Sequence, residues 1–344
     1  CTGIAFKGSG TNLAAIVIAS DNNPNLNPRK LYIDNVFGEA KPVTVAEVRD
    51  DGAWTPSLSK LHFSFDPAPC AGEYRYAVGT TAGGTNVRGW TICGQATDVL
   101  ATGLSLTQNQ NYYMSVEVGT GNDTWGGWVS SNGIKVAPGV TIQEAKALAD
   151  GTDPDTKAIR GKAVSAVFSG FFYIQDTAGH SGIKILSPAS VAAGDEVDVC
   201  GVMQGSDAER YLDCTGNPVM TTTPGPGIPP AAAMSAVSLG GTELNSYTPG
   251  VVGGVGTNNI GLHVTVFGNV TALGSGFFYL DDGSAPSDPR IDPGTGQPYV
   301  GVRILSSASV GLDEYWTATG VSTLESDSGN LIRTVRAANA QRMQ

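Results

Sequence analysis

One strand-and-loop pattern occurs twice in this chain, and it constrains the fold more than any other feature of the sequence. The tetrapeptide GFFY at Gly170–Tyr173 returns at Gly276–Tyr279. Further along each copy, seven of ten positions match between Gly182–Val191 and Gly301–Val310. A repeat of this length, holding one complete supersecondary unit, is typical of duplicated domains. The C-terminal part of the chain is therefore predicted to consist of two copies of one β-module.

The composition favours an all-β protein of the cell surface or the extracellular space. Only 15% of the residues are charged, and the chain has 46 Gly and 19 Pro, so turns are frequent and helix formers few. The net charge is −11, and no segment of the chain is basic. Because phosphate contacts from Lys and Arg dominate the affinity for nucleic acid, we expect no nucleic-acid partner. No apolar run reaches the ~18 residues of a membrane-spanning helix, so no span is predicted.

Four of the five cysteines fall in two short intervals. Cys70 and Cys93 lie within one predicted β-unit, and Cys200 and Cys214 lie within another. Two strands of one unit can lie side by side, so we predict two intradomain disulfides and an oxidising compartment. The fifth, Cys1, has several interpretations: a lipid-modified N-terminus, a crosslinking thiol, a truncated gene product or a free thiol.

Residues 1–40 contain two strand-like pieces, Leu13–Ala19 and Lys30–Phe37, separated by a loop rich in Asn and Pro. Two isolated strands are not stable in water, so they must pack on another domain or another molecule. The segment is predicted to be either a donor strand for a neighbouring copy or the remnant of an upstream domain. The candidate assembly residues are Leu13, Ala15, Val17, Leu31, Ile33 and Val36.

Residues 41–139 alternate apolar and polar residues between turns rich in Gly, Thr and Asn, which predicts a β-sandwich. Leu106 precedes Tyr112 by six residues, ahead of an alternating strand. This spacing resembles the tyrosine corner of fibronectin type III domains, in which the hydroxyl ties a loop to the strand. The resemblance implies a fibronectin type III-like sandwich of the kind found in secreted bacterial proteins.

Residues 140–223 begin with a helical stripe over 141–149, where Thr141 and Glu144 have capping-box spacing. Five predicted strands separated by Gly-rich turns follow, which suits a small closed barrel. The pattern resembles the OB-fold modules found in tandem in bacterial exported proteins. Residues 224–344 are predicted to form the second barrel, with an insertion over Asp281–Tyr299 that the first copy lacks.

The sequence shows no catalytic constellation. His62, His180 and His263 have no second His or Cys at metal-ligand spacing, and no nucleophile or phosphate-binding motif occurs. We therefore expect no enzyme, no cofactor and no zinc. The acidic insertion supplies a weak candidate calcium site, whose ligands would be Asp281, Asp282, Asp288 and Asp292.

Four aromatic residues are candidates for stacking on a ligand. Trp125 and Trp128 flank a Gly-Gly pair in the sandwich, and Phe172 and Phe278 lie on the repeated aromatic strands. In OB folds this sheet face can stack bases or sugars. Core packing is the competing interpretation for all four, because consecutive strand residues alternate between the two faces.

Two functions remain from this sequence. The first is a non-enzymatic structural protein, a subunit of a surface filament, sheath or matrix that assembles with itself through β-strand contacts. The alternative is a carbohydrate-binding accessory region of a larger secreted hydrolase or adhesin, with a polysaccharide as the partner. In both cases the localisation is bacterial and extracellular.

Overall fold

The computed structural model describes residues 43–69, 71–121, 124–176, 181–206, 209–284 and 286–343. Several sequence predictions lie outside these residues. They are Cys1, the assembly residues Leu13, Ala15, Val17, Leu31, Ile33 and Val36, the cysteine Cys70 and the histidine His180.

The first described domain is a two-sheet β-sandwich. Its strands are β1 (Val48–Asp50), β2 (Trp54–Thr55), β3 (Leu61–Phe65), β4 (Glu73–Gly79), β5 (Arg88–Gly94), β6 (Asp98–Ala101), β7 (Asn111–Gly121), β8 (Thr124–Trp125), β9 (Val129–Ser130) and β10 (Ile134–Val136). One sheet has the order β1-β3-β6, and the other has β2-β10-β7-β4-β5, with β8 and β9 also paired to β7. This arrangement is that of the fibronectin type III fold.

The alternation of apolar and polar residues predicted from the sequence is present in the core of the sandwich. Strand β3 has the burial pattern of a half-buried strand, with Leu61, Phe63 and Phe65 inside. The ring of Phe65 meets that of Tyr74 edge-on, with centroids 4.9 Å apart. Burying aromatic residues of this size is the main stabilising term of such a core.

The predicted tyrosine corner is present. The backbone N–H of Thr107 donates a hydrogen bond to the hydroxyl oxygen of Tyr112, at 2.7 Å. Leu106 is buried, at 8% exposed, and Tyr112 is 2% exposed at the start of β7. The hydroxyl therefore fixes the loop before β7 onto the strand.

The second domain opens with the helix α1 (Ile142–Lys146), which is shorter than the predicted 141–149. Its capping box is present: the N–H of Glu144 donates to the Thr141 hydroxyl at 3.1 Å, and the N–H of Thr141 donates to the Glu144 carboxylate at 2.8 Å. A 3-10 turn over Asp153–Asp155 leads into the barrel.

The second domain, called barrel 1 below, is a closed five-stranded barrel. Its strands are β11 (Lys157–Phe168), β12 (Phe171–Gln175), β13 (Gly182–Leu186), β14 (Glu196–Ser206) and β15 (Glu209–Asp213), with β16 (Met220–Thr222) added at the edge of β14. The order is β11-β12-β13-β15-β14, and β14 closes onto β11. The pairing of β13 with β15 is parallel, and the other barrel pairs are antiparallel. This is the strand order of an OB-type barrel.

The third domain, barrel 2, repeats the same order. Its strands are β17 (Ala232–Ala233), β18 (His263–Gly274), β19 (Phe277–Asp281), β20 (Ser287–Ile291), β21 (Pro298–Val300), β22 (Val302–Leu305), β23 (Tyr315–Asp327) and β24 (Asn330–Arg342). The barrel order is β18-β19-β22-β24-β23, and β23 closes onto β18. The first two strands of each barrel also have a register shift at the same place, between Val164 and Ala166 in β11 and between Val270 and Ala272 in β18. The duplication read from the sequence is thus a duplication of the fold.

The insertion of the second copy forms a separate β-hairpin between the second and third strands of barrel 2. Strands β20 and β21 pair only with each other among the described residues. A 3-10 turn over Ala236–Ser238 lies before the barrel. We call the segment from Ser287 to Val300 the cap hairpin.

The predicted disulfides are not present: Cys93, Cys200 and Cys214 are free thiols. Cys214 belongs to the core of barrel 1, whereas Cys200 packs with Trp54, Ala137 and Ala158 at the boundary with the sandwich. Cys200 lies on β14 and Cys214 directly follows the neighbouring strand β15. Their side chains lie on opposite faces of the barrel wall, because successive strand residues alternate between the faces. Burial raises the pKa of the Cys200 thiol to about 12. The argument for an oxidising compartment therefore no longer holds.

The described residues contain no helix long and apolar enough to cross a membrane.

The tyrosine corner leads to a stability prediction. Tyr112→Phe removes the acceptor of the Thr107 N–H, so we expect the free energy of unfolding to fall by about 1–3 kcal/mol. Denaturant unfolding followed by Trp fluorescence measures it. Tyr113→Phe, the same change one residue along β7, is the matched control and should lie within about 0.5 kcal/mol of the parent. Equal effects of the two substitutions would contradict the corner.

Candidate functional site

The outer wall of barrel 1 carries an aromatic face made of Ala166, Phe168, Phe171 and Tyr173. The rings of Phe168 and Phe171 stack at 5.3 Å, and Tyr173 meets both edge-on, at 6.1 Å and 6.0 Å. The Lys184 ammonium lies 4.6 Å from the Phe171 ring centroid, a cation–π distance. In OB folds this side of the barrel is the ligand-binding side.

Barrel 2 covers this aromatic face. Val321 of β23 packs against Ala166 and Tyr173. The Arg336 guanidinium of β24 lies 5.6 Å from the Phe168 centroid and 5.4 Å from the Phe171 centroid. The face is therefore used for contact between domains, and Tyr173 is 0% exposed.

Glu209 is the polar centre of the contact between the barrels. Its carboxylate accepts a hydrogen bond from the Tyr173 hydroxyl at 2.8 Å and one from the Thr323 hydroxyl of barrel 2 at 2.7 Å. Lys184 lies 3.5 Å from the other carboxylate oxygen. Burial raises the pKa of Tyr173 well above its usual value, and the charge of Glu209 adds to the effect. The phenol therefore stays a hydrogen-bond donor to Glu209.

The two barrels approach closely enough for their backbones to touch. A Cβ added to Gly182 would lie 2.0 Å from the carbonyl oxygen of Gly261, so only glycine fits there. Beside it, the N–H of His263 donates to the Gln175 side-chain oxygen at 2.7 Å. This contact between the two barrels, called the joint below, lies beside the aromatic face and leaves Tyr173 buried.

Lys146 of helix α1 reaches into the same joint. It is 3% exposed, and its ammonium donates to the Ile260 carbonyl oxygen at 2.6 Å. Burial lowers the pKa of Lys146 to about 8, against the opposing charge of Glu209.

Barrel 2 has the equivalent aromatic face, made of Ala272, Phe277 and Tyr279, and the cap hairpin covers it. The rings of Tyr279 and Tyr299 are stacked, with centroids 4.4 Å apart and an angle of 5°. The Arg303 guanidinium lies 3.9 Å from the Phe277 centroid. The covering groups thus bury Tyr173 in barrel 1 and Tyr279 in barrel 2.

A charged cluster holds the cap hairpin in place. The Tyr279 hydroxyl donates to Asp288 at 2.5 Å, and Arg290 pairs with Asp288 at 2.7 Å. Arg290 also pairs with Glu325 of β23 at 3.2 Å, and Arg303 pairs with the same carboxylate. Burial opposes the ionisation of Asp288, but the hydrogen bonds from Arg290 and Tyr279 and the charge of Arg290 together outweigh it and lower the pKa of the carboxyl.

The candidate ligand aromatics Phe172 and Phe278 are corrected by the structure. Each is 1% exposed and lies inside its barrel core. In both trios the middle residue points inward and its two neighbours point outward, so Phe172 and Phe278 cannot stack on a ligand.

The calcium candidates do not converge on one point. Asp288 is paired with Arg290, Asp282 accepts the N–H of Ala236 at 3.0 Å, and Asp292 accepts the N–H of Gly294 at 2.9 Å. Asp281 also has an interaction of its own. No group of three or more His, Cys, Asp or Glu side chains that could hold a metal ion occurs in the described ranges. The insertion carries a cap in place of the predicted calcium loop.

The tryptophans of the sandwich form a ladder with an arginine. The Arg75 guanidinium lies 4.1 Å from the Trp125 centroid and 5.1 Å from the Trp90 centroid, and it pairs with Glu117 at 2.6 Å. Trp128 does not join the ladder: it lies against the backbone of Gly83 and is 48% exposed. Trp125 is therefore engaged by Arg75, and Trp128 offers the larger open surface.

The sandwich is joined to barrel 1 by a second built contact. The Trp54 indole N–H donates to Asp153 at 3.0 Å, and Trp54 packs with Ala158 and Cys200. The Arg160 guanidinium donates to the carbonyl oxygens of Pro56 and Ala137. Both domain boundaries thus combine apolar packing with hydrogen bonds to buried or half-buried groups.

Sequence reasoning missed the residues that make the joint between the barrels. Glu209, Thr323, Lys146 and Arg336 belong to no motif, and the partners Glu209 and Thr323 are 114 residues apart. The one available signal was the repeat itself, since an outward aromatic pair in each copy needs a covering partner.

The chain was also compared with known proteins. No protein-family model matches it, and no curated protein matches it. Among 23 matching solved chains is the twitchin kinase region from C. elegans, with a TM-score of 0.22 and 9% identity, over 42% of this chain and 31% of that one. Another is chicken CNTN1 domains FN1–FN3, with a TM-score of 0.21 and 8% identity, over 88% of this chain and 98% of that one.

A third is the Bacteroides ovatus mixed-linkage glucan utilization locus protein SGBP-B, solved in complex with a mixed-linkage heptasaccharide. Its TM-score is 0.15 at 10% identity, over 89% of this chain and 68% of that one. TM-scores this low do not bear on function, and the fold described above rests on strand order and register.

His62, on the outer side of β3, lies between two carboxylates and gives a pH prediction. Its ring nitrogens are 2.6 Å from Asp51 and 3.1 Å from Asp98. Partial burial lowers the pKa of His62, but hydrogen bonds and charges from both aspartates outweigh it and raise the pKa above 6.5. Folded protein then binds more protons than unfolded protein above pH 6.5, so this contribution to stability is lost as the pH rises through the raised pKa.

Denaturant unfolding at a series of pH values measures the effect, with His62→Gln as the variant that should flatten it. An NMR titration of the imidazole reads the pKa directly. Titration below pH 6.5 would contradict the arrangement.

Proposed function

We propose that this chain is a non-enzymatic structural protein of the bacterial cell surface or extracellular space, which assembles with further copies through β-strand contacts. The observation that carries the proposal is the use of the barrel faces. The side on which OB folds bind ligands is filled by barrel 2 in the first copy and by the cap hairpin in the second. The barrels thus serve as packing modules, as a structural element requires.

An open sheet edge supports assembly through strand addition. Strand β5 ends its sheet and has a partner strand on one side only, β4, among the described residues. Ile92 on this strand is 61% exposed. Exposed edge strands are templates for pairing with another chain, and the two strand-like pieces of residues 1–40 are the segment that we propose to pair there.

The test is negative-stain electron microscopy of the full chain beside a chain that lacks residues 1–38. We expect filaments from the full chain and single particles from the truncated one. Ile92→Lys should block assembly by placing a charge on the edge strand. Leu100→Lys, at a residue of β6 that is 52% exposed, is the matched control and should leave the filaments intact. Single particles from the full chain would contradict the proposal.

The second candidate is polysaccharide binding by the sandwich, favoured by the 48% exposure of Trp128. Exposed indole rings stack on the apolar faces of sugars, as they do on other flat ligands. Retention on insoluble polysaccharide that is lost in Trp128→Ala, with single particles by microscopy, would select this function over the first.

A further inference from the structure

The outer aromatic faces of the two barrels match at most positions, and the exception is Gly274, which stands in barrel 2 where Phe168 stands in barrel 1. Ala166 pairs with Tyr173 across β11 and β12, and Ala272 pairs with Tyr279 across β18 and β19. Each tyrosine faces a cation on the next strand, because Tyr173 pairs with Lys184 and Tyr279 with Arg303. In each copy that cation also lies over a phenylalanine ring, 4.6 Å from Phe171 and 3.9 Å from Phe277.

The covering groups are also equivalent in chemistry, although they come from different places. An apolar group lies on the Ala–Tyr pair: Val321 of barrel 2 in the first copy and Tyr299 of the cap hairpin in the second. In each copy a carboxylate accepts from the tyrosine hydroxyl: Glu209 of barrel 1 itself at 2.8 Å and Asp288 of the cap hairpin at 2.5 Å. A second domain and a hairpin thus place an apolar group on the same part of the face.

One difference between the two barrels shows that the cap hairpin supplies a carboxylate that barrel 2 itself lacks. The parallel register sets Lys184 opposite Tyr211 and Arg303 opposite Thr334, so Glu209 of barrel 1 corresponds to Ile332 of barrel 2. Barrel 2 has no acid at that strand position, and Asp288 of the hairpin supplies it. Arg290 and Arg303 share the Glu325 carboxylate, which ties the hairpin to the barrel.

We infer that this face is a docking surface for another β-domain, and that the cap hairpin is an intramolecular plug which closes it on barrel 2. The occupant of the unplugged face is the same face of a second copy of this chain, because the barrel 2 surface with Val321 and Arg336 already contacts barrel 1 within the chain. Without the hairpin, Phe277 and Tyr279 lose their apolar cover, and two such faces pack on each other about a two-fold axis.

The test replaces residues 282–300 with the shorter connection of the first copy, Asp176–Ser181. Self-association is measured by analytical ultracentrifugation over a range of concentrations, against the intact chain, with Ile92→Lys in every chain so that filament assembly does not mask the result. We expect a dimer whose dissociation constant is at least tenfold lower than that of any self-association of the intact chain. The matched control carries the same exchange with Phe277→Ser, and it should return to the behaviour of the intact chain.

Two outcomes would overturn the inference. The exchanged chain could associate no more than the intact chain, so that the face is not a docking surface. Alternatively, it could dimerise equally with Phe277→Ser, so that association occurs elsewhere.

A point variant keeps the inference testable should the exchanged chain not fold. Tyr299→Ser removes the ring stacked on Tyr279, and Tyr315→Ser is the matched control at a tyrosine that is 60% exposed. Hydroxyl-radical footprinting reads the exposure of Phe277, and ultracentrifugation reads association. In Tyr299→Ser alone we expect at least a threefold rise in Phe277 oxidation at concentrations where the chain is monomeric, and self-association at higher concentrations. Oxidation and association equal to those of Tyr315→Ser would contradict the plug.

Discussion

The outward aromatic face of barrel 1 is the constraint on which the arrangement of the C-terminal domains depends. A strand with three consecutive aromatic residues cannot bury all of them in one core, because neighbours point to opposite faces. Phe172 fills barrel 1, so Phe171 and Tyr173 must find cover outside it. Barrel 2 supplies that cover, and the Gly182–Gly261 contact lets the two walls come together.

Polar groups decide how the two barrels fit once the apolar face has been covered. Burying a carboxylate is costly unless its oxygens accept hydrogen bonds, and Glu209 accepts from Tyr173 and Thr323. Lys146 is buried at the same joint with the Ile260 carbonyl as its acceptor. Groups of this kind tolerate one relative placement of the domains, because any shift leaves a buried charge without a partner. The joint therefore fixes the relative orientation of the two barrels as well as stabilising it.

Much of the fold could be predicted from the sequence because its signals are local. The alternation in β3, the tyrosine corner at Tyr112 and the capping box of Thr141 each depend on residues that are close in sequence. The repeat predicted the two barrels for a different reason, since it compares the chain with itself. The insertion was also visible, but its acidic residues were misread as calcium ligands because Arg290 and Tyr279 were not known to face Asp288.

The wrong predictions concern the face of a strand on which a side chain lies. The missed residues make contacts between segments that are distant in sequence. Alternation does not say which member of an aromatic trio points inward, so Phe172 and Phe278 were kept as ligand aromatics although they fill the cores. The same ambiguity produced the wrong disulfide between Cys200 and Cys214. The pairing of Glu209 with Thr323 joins two domains, and no local pattern contains it.

The Glu209 carboxylate joins the two barrels across the aromatic face, through the hydroxyls of Tyr173 and Thr323. A double-mutant cycle on the free energy of unfolding, with Glu209→Gln and Thr323→Val in the full chain, tests this contact. We expect a coupling free energy of about 0.5–3 kcal/mol between the two substitutions, as for residues in one hydrogen-bond network. Additive effects, with a coupling below about 0.3 kcal/mol, would contradict the joint.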